Sequence, residues 1–98
     1  MLKDRITDDI LEHYFSITTR AREKVRISAP PNTHLYEVAE DFLLMADSYI
    51  KDAQYFKELG DYVRAYGAIY YAHAWLDTGA RLGLFDVDDD HELFTLAK

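Results

Sequence analysis

Residues 35–83, LYEVAEDFLLMADSYIKDAQYFKELGDYVRAYGAIYYAHAWLDTGARLG, decide the fold of this chain. Along this stretch the apolar residues recur at alternating steps of four and three, and the pattern is interrupted only at residues 59–61. Such steps place side chains on one face of an α-helix, so the stretch predicts two antiparallel helices that fold back on each other about Gly60. The two facing stripes are Leu35, Ala39, Phe42, Ala46, Tyr49, Ala53 and Phe56, and Tyr62, Ala65, Ile69, Ala72, Leu76, Gly79 and Gly83.

Capping residues and helix breakers divide the chain into three predicted helices. Pro30-Pro31 ends the first helix, because proline cannot continue a helix and restricts the residue before it. Gly60 and Gly83 close the second and third helices, because glycine adopts a positive φ without strain. Side-chain oxygens cap the starts, from Thr7 or Asp8, from Asn32 or Thr33, and from Asp61. The predicted bounds are residues 7–27, 34–59 and 61–82.

The expected fold class is all-α, a three-helix bundle with a short C-terminal helical segment at residues 91–97. Ninety-eight residues suit a single domain, so one helical-bundle domain spans residues 1–98. The third helix carries a second apolar stripe that needs a second partner, either helix one or another copy of the chain. The stripe predicted for helix one is Ile6, Ile10, Tyr14, Ile17, Ala21 and Val25, and the second stripe of helix three is Ala68, Tyr71, Trp75 and Leu82.

The composition excludes several functions. Cysteine is absent, so the chain has no disulfide framework, no thiolate metal ligand and no cysteine nucleophile. The net charge of −7 opposes a role as a general nucleic-acid binder. The first residues have no apolar run after their charges, and no stretch approaches the roughly 18 uncharged residues of a membrane span. We therefore expect a cytoplasmic protein with no membrane partner.

Three histidine and carboxylate pairs have the spacing of metal ligands on one helix face. Each pair offers two ligands, whereas a zinc site needs three or four, so the prediction is no metal and no cofactor. The pair of His73 and Asp77 lies at the edge of the core stripe and supports an alternative, a metal-dependent hydrolase. The pairs are Asp9 with His13, His34 with Glu37, and His73 with Asp77.

The acidic run at residues 86–90 begins like a calcium loop, with acids at alternate positions. The match then fails, because His91 stands where the loop needs glycine and Ala97 stands where it needs glutamate. The run is more typical of an acidic start to the last helical segment.

The densest positive charge lies in the last two turns predicted for helix one. These four cations suggest a second alternative, an RNA-associated protein that docks through them. Residues at alternate positions on a helix point about 200° apart, so the cations spread around the helix and also suit its C-terminal dipole. They are Arg20, Arg22, Lys24 and Arg26.

The aromatic content of 14% is high for a small bundle. Helix three carries Tyr66, Tyr70, Tyr71 and Trp75, and helix two carries Leu44 and Tyr55, which are more rings and apolar groups than one bundle needs to bury. The predicted partner surface consists of Leu44, Tyr55, Tyr71 and Trp75. Because the chain contains no recognisable catalytic set, these four residues predict a non-enzymatic protein-interaction module. We expect it to self-associate, and a two-fold dimer is the commonest form.

A distinctive motif runs from Trp75 to Leu84, with the sequence WLDTGARLGL. With the alanine-rich pattern from Ala46 onward, it resembles the small archaeal proteins grouped as domain of unknown function 357. The resemblance is strongest from Ala46 to Phe85. It implies a compact helical bundle and an archaeal, cytoplasmic source, and it implies no activity, substrate or functional residue.

Overall fold

A computed structural model gives the fold of the protein and describes residues 2–95. Three helices form a bundle, α1 (Asp8–Lys24), α2 (His34–Glu58) and α3 (Tyr62–Arg81). Two short strands, β1 (Arg26–Ile27) and β2 (Phe85–Asp86), follow α1 and α3. The predicted all-α class is confirmed. Within residues 2–95, none of the helices has a segment both long and apolar enough to cross a membrane.

The helix starts and the glycine turns follow the predicted local signals. The Thr7 hydroxyl accepts from the Ile10 amide at 3.3 Å, the Thr33 hydroxyl from the Tyr36 amide at 3.2 Å, and the Asp61 carboxylate from the Arg64 amide at 3.1 Å. Each cap satisfies an amide that has no partner inside its helix. Gly60 and Gly83 adopt φ values of 79° and 81°, so both predicted glycine turns are confirmed.

The interface of α2 and α3 is built mainly from small residues. Helices lie closer together where the facing side chains are small, and here the facing residues are fully buried. Leu35 was predicted to belong to this interface but is 57% exposed, because it lies in the first turn of α2, beyond the end of α3. The buried residues are Ala39, Ala46 and Ala53 on α2, and Ala65, Ile69, Ala72, Leu76 and Gly79 on α3.

The end predicted for helix one is wrong by three residues. α1 stops at Lys24, and Val25 turns the backbone into an extended conformation. Arg26 then pairs with Asp86 and Ile27 with Phe85 in an antiparallel ladder. A strand of two residues is too short to show the alternating pattern of a β-strand. The apolar spacing of helix one therefore continues through these residues in the sequence, and the strand cannot be predicted from it.

The buried stripe of α1 agrees with the predicted one at Ala21 and Val25, which are buried, and differs from it in the earlier turns. Leu11 is fully buried and Thr18 is 2% exposed, whereas Ile10 and Ile17 are only half-buried. Thr18 was missed because a polar residue does not contribute to an apolar pattern. Its burial is explained below by a hydrogen bond to α3.

The segment after α3 closes one end of the bundle without forming a helix in its described part. Residues 91–93 form a turn, and the Phe94 amide donates to the Asp90 carbonyl at 3.3 Å. The predicted C-terminal helical segment is therefore a turn as far as residue 95, and residues 96–97 lie outside the described residues. The buried side chains of this end are Leu84, Phe85, Val87, Leu93 and Phe94.

Gly79 provides the space into which Phe85 packs. A Cβ atom at Gly79 would lie 2.1 Å from Cε2 of the Phe85 ring, far inside contact distance. Gly67 also lies within α3, but a Cβ atom there would meet nothing within 4 Å. The two helical glycines therefore have opposite consequences for stability.

Gly79→Ala is expected to lower the free energy of unfolding by about 1–3 kcal/mol, because the buried Phe85 ring must move. Gly67→Ala is the matched control and is expected to raise it by about 0.5–1 kcal/mol, since alanine favours the helix more than glycine does. Urea denaturation followed by circular dichroism measures both values. Equal effects of the two substitutions would contradict the packing of Phe85 on Gly79.

Candidate functional site

α1 covers one side of the hairpin formed by α2 and α3. It contacts α3 through Thr18, whose hydroxyl lies 3.1 Å from Nδ1 of His73. Side chains two residues apart on a helix point about 200° apart. Tyr71 and Trp75, two residues on either side of His73, therefore project from the side of α3 that α1 leaves uncovered.

Four aromatic rings occupy this uncovered side, and we call them the open aromatic face: Phe42, Tyr49, Tyr71 and Trp75. Phe42 packs edge-on against Trp75, with ring centroids 4.9 Å apart, and Tyr49 packs against Tyr71 at 4.5 Å. Tyr71 and Trp75 also contact each other at 6.1 Å. The rings form one continuous surface that spans both helices of the hairpin.

The outer rings of this face remain partly in contact with solvent. Tyr71 is 46% exposed, and Trp75 is half-buried. The indole nitrogen of Trp75 is buried and has no hydrogen-bond partner within residues 2–95. The indole is therefore held by packing alone, and an unpaired buried donor weakens that arrangement.

The structure separates the four residues predicted to bind a partner. Leu44 is 62% exposed and Tyr55 is 58% exposed, but both project from the outer side of α2. Leu44 follows Phe42 by two residues and so points about 200° away from it. Tyr71 and Trp75 therefore share one surface, and Leu44 and Tyr55 lie on another. Phe42 and Tyr49 were assigned to the core by their spacing, and their part in the open aromatic face was missed.

The basic group at the end of α1 is largely engaged by carboxylates. Arg20 is exposed, whereas the other three cations form ion pairs that tie α1 and β1 to α2 and to the acidic run. Lys24 and Arg26 pair with the acidic run, so the predicted basic group and the predicted acidic run do not form two separate surfaces. The contacts are Arg22 Nε to Asp47 Oδ1 at 2.6 Å, Lys24 Nζ to Asp90 Oδ2 at 2.9 Å, and Arg26 Nη2 to Asp88 Oδ1 at 2.7 Å and to Asp86 Oδ2 at 3.3 Å.

Hydrogen bonds and cations lower the pKa of two carboxyl groups in this run. The pKa of Asp86 is lowered first by the Asp88 amide and then by Arg26. The pKa of Asp90 is lowered first by the Leu93 amide and then by Lys24. Both carboxylates are therefore favoured in their ionised form by the fold itself.

The residues of the metal-site alternative have other partners. Within residues 2–95, no three histidine or carboxylate side chains come together as a metal site. His73 contacts Thr18 through Nδ1 and the Leu93 carbonyl oxygen through Nε2, the latter at 2.9 Å. Asp77 accepts a hydrogen bond from the Thr95 amide. Both side chains thus attach the C-terminal segment or α1 to α3.

Tyr66 and Tyr70, which the sequence marks as surplus rings of helix three, form a cluster with Tyr14 of α1 that the sequence did not predict. The ring centroid of Tyr14 lies 5.3 Å from that of Tyr66 and 4.9 Å from that of Tyr70. A hydrogen bond with Tyr70 raises the pKa of Tyr14 above its ordinary value. The only local signal was the step of four between Tyr66 and Tyr70, which places both rings on one helix face.

The fold and these surfaces define a small helical-bundle protein. Its candidate site is the open aromatic face. Residues 13–85 match the family model described as "Protein of unknown function (DUF357)". This match covers about three-quarters of the chain, so the protein belongs to that family. Neither the curated proteins nor the solved structures include a match.

Asp90→Asn is expected to lower stability near pH 7 and to reduce the loss of stability between pH 7 and pH 3. Because the folded-state pKa of Asp90 is lowered, its carboxylate stabilises the fold fully above its unfolded pKa of about 3.9 and loses this effect as pH falls toward the folded-state pKa. Asparagine keeps an oxygen for the Leu93 amide but cannot ionise. Urea denaturation at the two pH values measures the change.

Asp89→Asn is the control for this experiment. Asp89 is exposed and has a φ of 53°, a conformation that asparagine tolerates well. The control is expected to keep the pH dependence of the wild-type protein. If Asp89→Asn changed the pH dependence of the free energy of unfolding as much as Asp90→Asn does, the contacts of Asp90 with Lys24 and Leu93 could not be the cause of that dependence.

Proposed function

We propose that this protein is a non-enzymatic helical interaction module that forms a two-fold dimer through the open aromatic face. The observation that carries the proposal is the position of Tyr71 and Trp75. They join Phe42 and Tyr49 in one ring surface on the side of the hairpin that α1 leaves uncovered.

The chemistry of this face suits a contact between proteins. Aromatic rings are enriched in the centres of protein interfaces, because they bury a large area while losing few rotatable bonds. Tyr71 lies with nearly half of its surface exposed, and its hydroxyl can stay hydrated at the edge of a contact. Covering this face would remove both outer rings from water.

The charge of the chain favours a second copy at this particular face. Each copy carries a net charge of −7, so two copies repel each other at most orientations. The open aromatic face consists of uncharged residues, so two copies can meet there without placing carboxylates together. A two-fold axis brings the same face of each copy together, and two stacked hairpins form a four-helix core with α1 outside it.

Tyr71→Glu is expected to convert a dimer into a monomer. The substitution removes the Tyr71 ring from the contact and brings a carboxylate of each copy to it, which is expected to weaken association by about a hundredfold or more. Sedimentation velocity at micromolar concentration is expected to give twice the chain mass of 11.4 kDa for the wild-type protein and the single chain mass for the variant. Circular dichroism confirms that the variant remains folded.

Leu44→Glu is the matched control, because Leu44 is also exposed, at 62% against 46% for Tyr71, but lies on the outer side of α2. This variant is expected to remain dimeric. Trp75 is the only tryptophan, so the fluorescence emission of the unaltered protein reports on the open aromatic face. Dilution is expected to dissociate the dimer, expose the indole to water and shift the emission to longer wavelength. A wild-type monomer with no dilution-dependent emission would contradict the proposal.

Salt distinguishes this proposal from docking on RNA. Added salt screens the repulsion between two acidic copies, so it is expected to strengthen the dimer. A complex of RNA with Arg20, Arg22, Lys24 and Arg26 would instead weaken steeply with salt, because each neutralised phosphate releases counterions. Sedimentation and RNA gel retardation at low and high salt measure the two trends.

A further inference from the structure

A cavity of about 180 Å³ lies between α1 and α3, on the side of α3 opposite the open aromatic face. Tyr14, Ile17 and Thr18 line it from α1, and Tyr70 and His73 line it from α3. Tyr70 and Tyr71 follow each other in the chain, yet they belong to different surfaces. The cavity is therefore independent of the dimer contact proposed above.

The cavity exists because rings hold the two helices apart beside a small buried residue. Tyr14 and Tyr70 pack with their centroids 4.9 Å apart and form one wall. Thr18, which is 2% exposed, occupies a core position of α1 where a large apolar side chain would fill the space. Ile17 supplies the apolar wall between them.

The polar groups of the cavity have a defined arrangement. Nε2 of His73 lies 2.9 Å from the Leu93 carbonyl oxygen, which can only accept, so Nε2 carries a proton and donates it. In the neutral imidazole, Nδ1 is then an acceptor, and the Thr18 hydroxyl donates to it across 3.1 Å. Having donated its proton, Thr18 retains only acceptor capacity. A molecule that binds beside Thr18 must therefore offer a hydrogen-bond donor.

The residues that line the cavity also restrict the charge and the size of a molecule that could bind there. The five lining residues include no lysine, arginine, aspartate or glutamate, so a charged molecule would lose its hydration without gaining an ionic partner. The volume of about 180 Å³ is close to the roughly 150 Å³ of a cavity that holds one benzene molecule, so a single ring with a small substituent fits here, and the space opens to solvent beside Tyr70, which is 47% exposed. Tyr14 and Tyr70 offer ring surfaces for edge or offset contacts with that molecule.

We propose that this cavity binds a small, neutral, monocyclic aromatic molecule that donates one hydrogen bond to the Thr18 hydroxyl. Phenol is the simplest member of this class. The ring lies against Tyr14, Tyr70 and Ile17, and its hydroxyl points to Thr18. The site uses no residue of the open aromatic face.

Phenol titration of the full chain, followed by amide NMR, tests the proposal. Saturable shifts are expected at Thr18, Tyr70 and His73, with weaker binding of toluene, which lacks the donor, and no binding of benzoate, which is charged. Thr18→Val keeps the shape of the side chain and is expected to weaken phenol binding about tenfold, the contribution of one neutral hydrogen bond, without weakening toluene binding. Thr19→Val, one residue later and exposed, is the control and is expected to bind phenol normally.

Tyr70→Ala and Tyr71→Ala form a second matched pair that does not depend on the folding of Thr18→Val. Tyr70→Ala removes a cavity wall and is expected to abolish phenol binding while leaving the oligomeric state unchanged. Tyr71→Ala is expected to weaken the dimer and leave phenol binding unchanged. Equal binding of phenol and toluene, binding of benzoate, or an absence of saturable shifts at the cavity would overturn the proposal, and each result is independent of whether the protein dimerises.

Discussion

The close contact of α2 with α3 is the constraint on which the rest of the molecule depends. Alanine and glycine dominate the facing positions, and Ala46, Ala53 and Ala72 are fully buried there. Because most of these residues are small, the two helices can lie close together, and Ile69 and Leu76 are the large side chains that the contact buries fully. The aromatic side chains lie at the two edges of the hairpin. One edge is covered by α1, and the other carries the open aromatic face. Both candidate surfaces therefore follow from the same packing arrangement.

The second constraint is the attachment of the chain ends to this hairpin. α1 is joined to the segment after α3 by the ladder of β1 and β2 and by the ion pairs of Lys24 and Arg26 with the acidic run. Partly exposed ion pairs contribute little individually, but here several act on one short segment whose apolar residues are buried. His73 contributes from α3 by contacting both Thr18 and Leu93. The acidic run thus has a structural explanation in the pairing of opposite charges across two distant parts of the sequence.

The sequence predicted those features that depend on neighbouring residues. Thr33, Gly60 and Asp61 act through hydrogen bonds and backbone angles within a few residues. Their roles as helix caps and as a turn residue could therefore be predicted from the sequence alone. The end of α1 was misplaced because the pairing of Arg26 with Asp86 joins residues far apart in the chain. The sequence predicted one shared surface for Leu44 and Trp75. This prediction failed because the spacing of apolar residues does not indicate which side of the hairpin α1 packs against. The cavity at Thr18 depends on the same choice of side, so no local pattern indicated it.

The position of α1 therefore decides which aromatic residues pack beside α1 and which lie on the open side of the hairpin, although Tyr70 and Tyr71 are exposed to a similar extent, 47% and 46%. Tyr14 on α1 draws Tyr66 and Tyr70 into a cluster on the covered edge, whereas Tyr71 and Trp75 remain on the open edge. Helix geometry separates adjacent residues by about 100°, so Tyr70 and Tyr71 face different environments although they are chemically identical. Because their side chains diverge by this angle, a substitution at one of them is expected to leave the surface of the other largely intact. Two neighbouring tyrosines on a single helix can thus test separately the proposed ligand cavity and the proposed dimer contact.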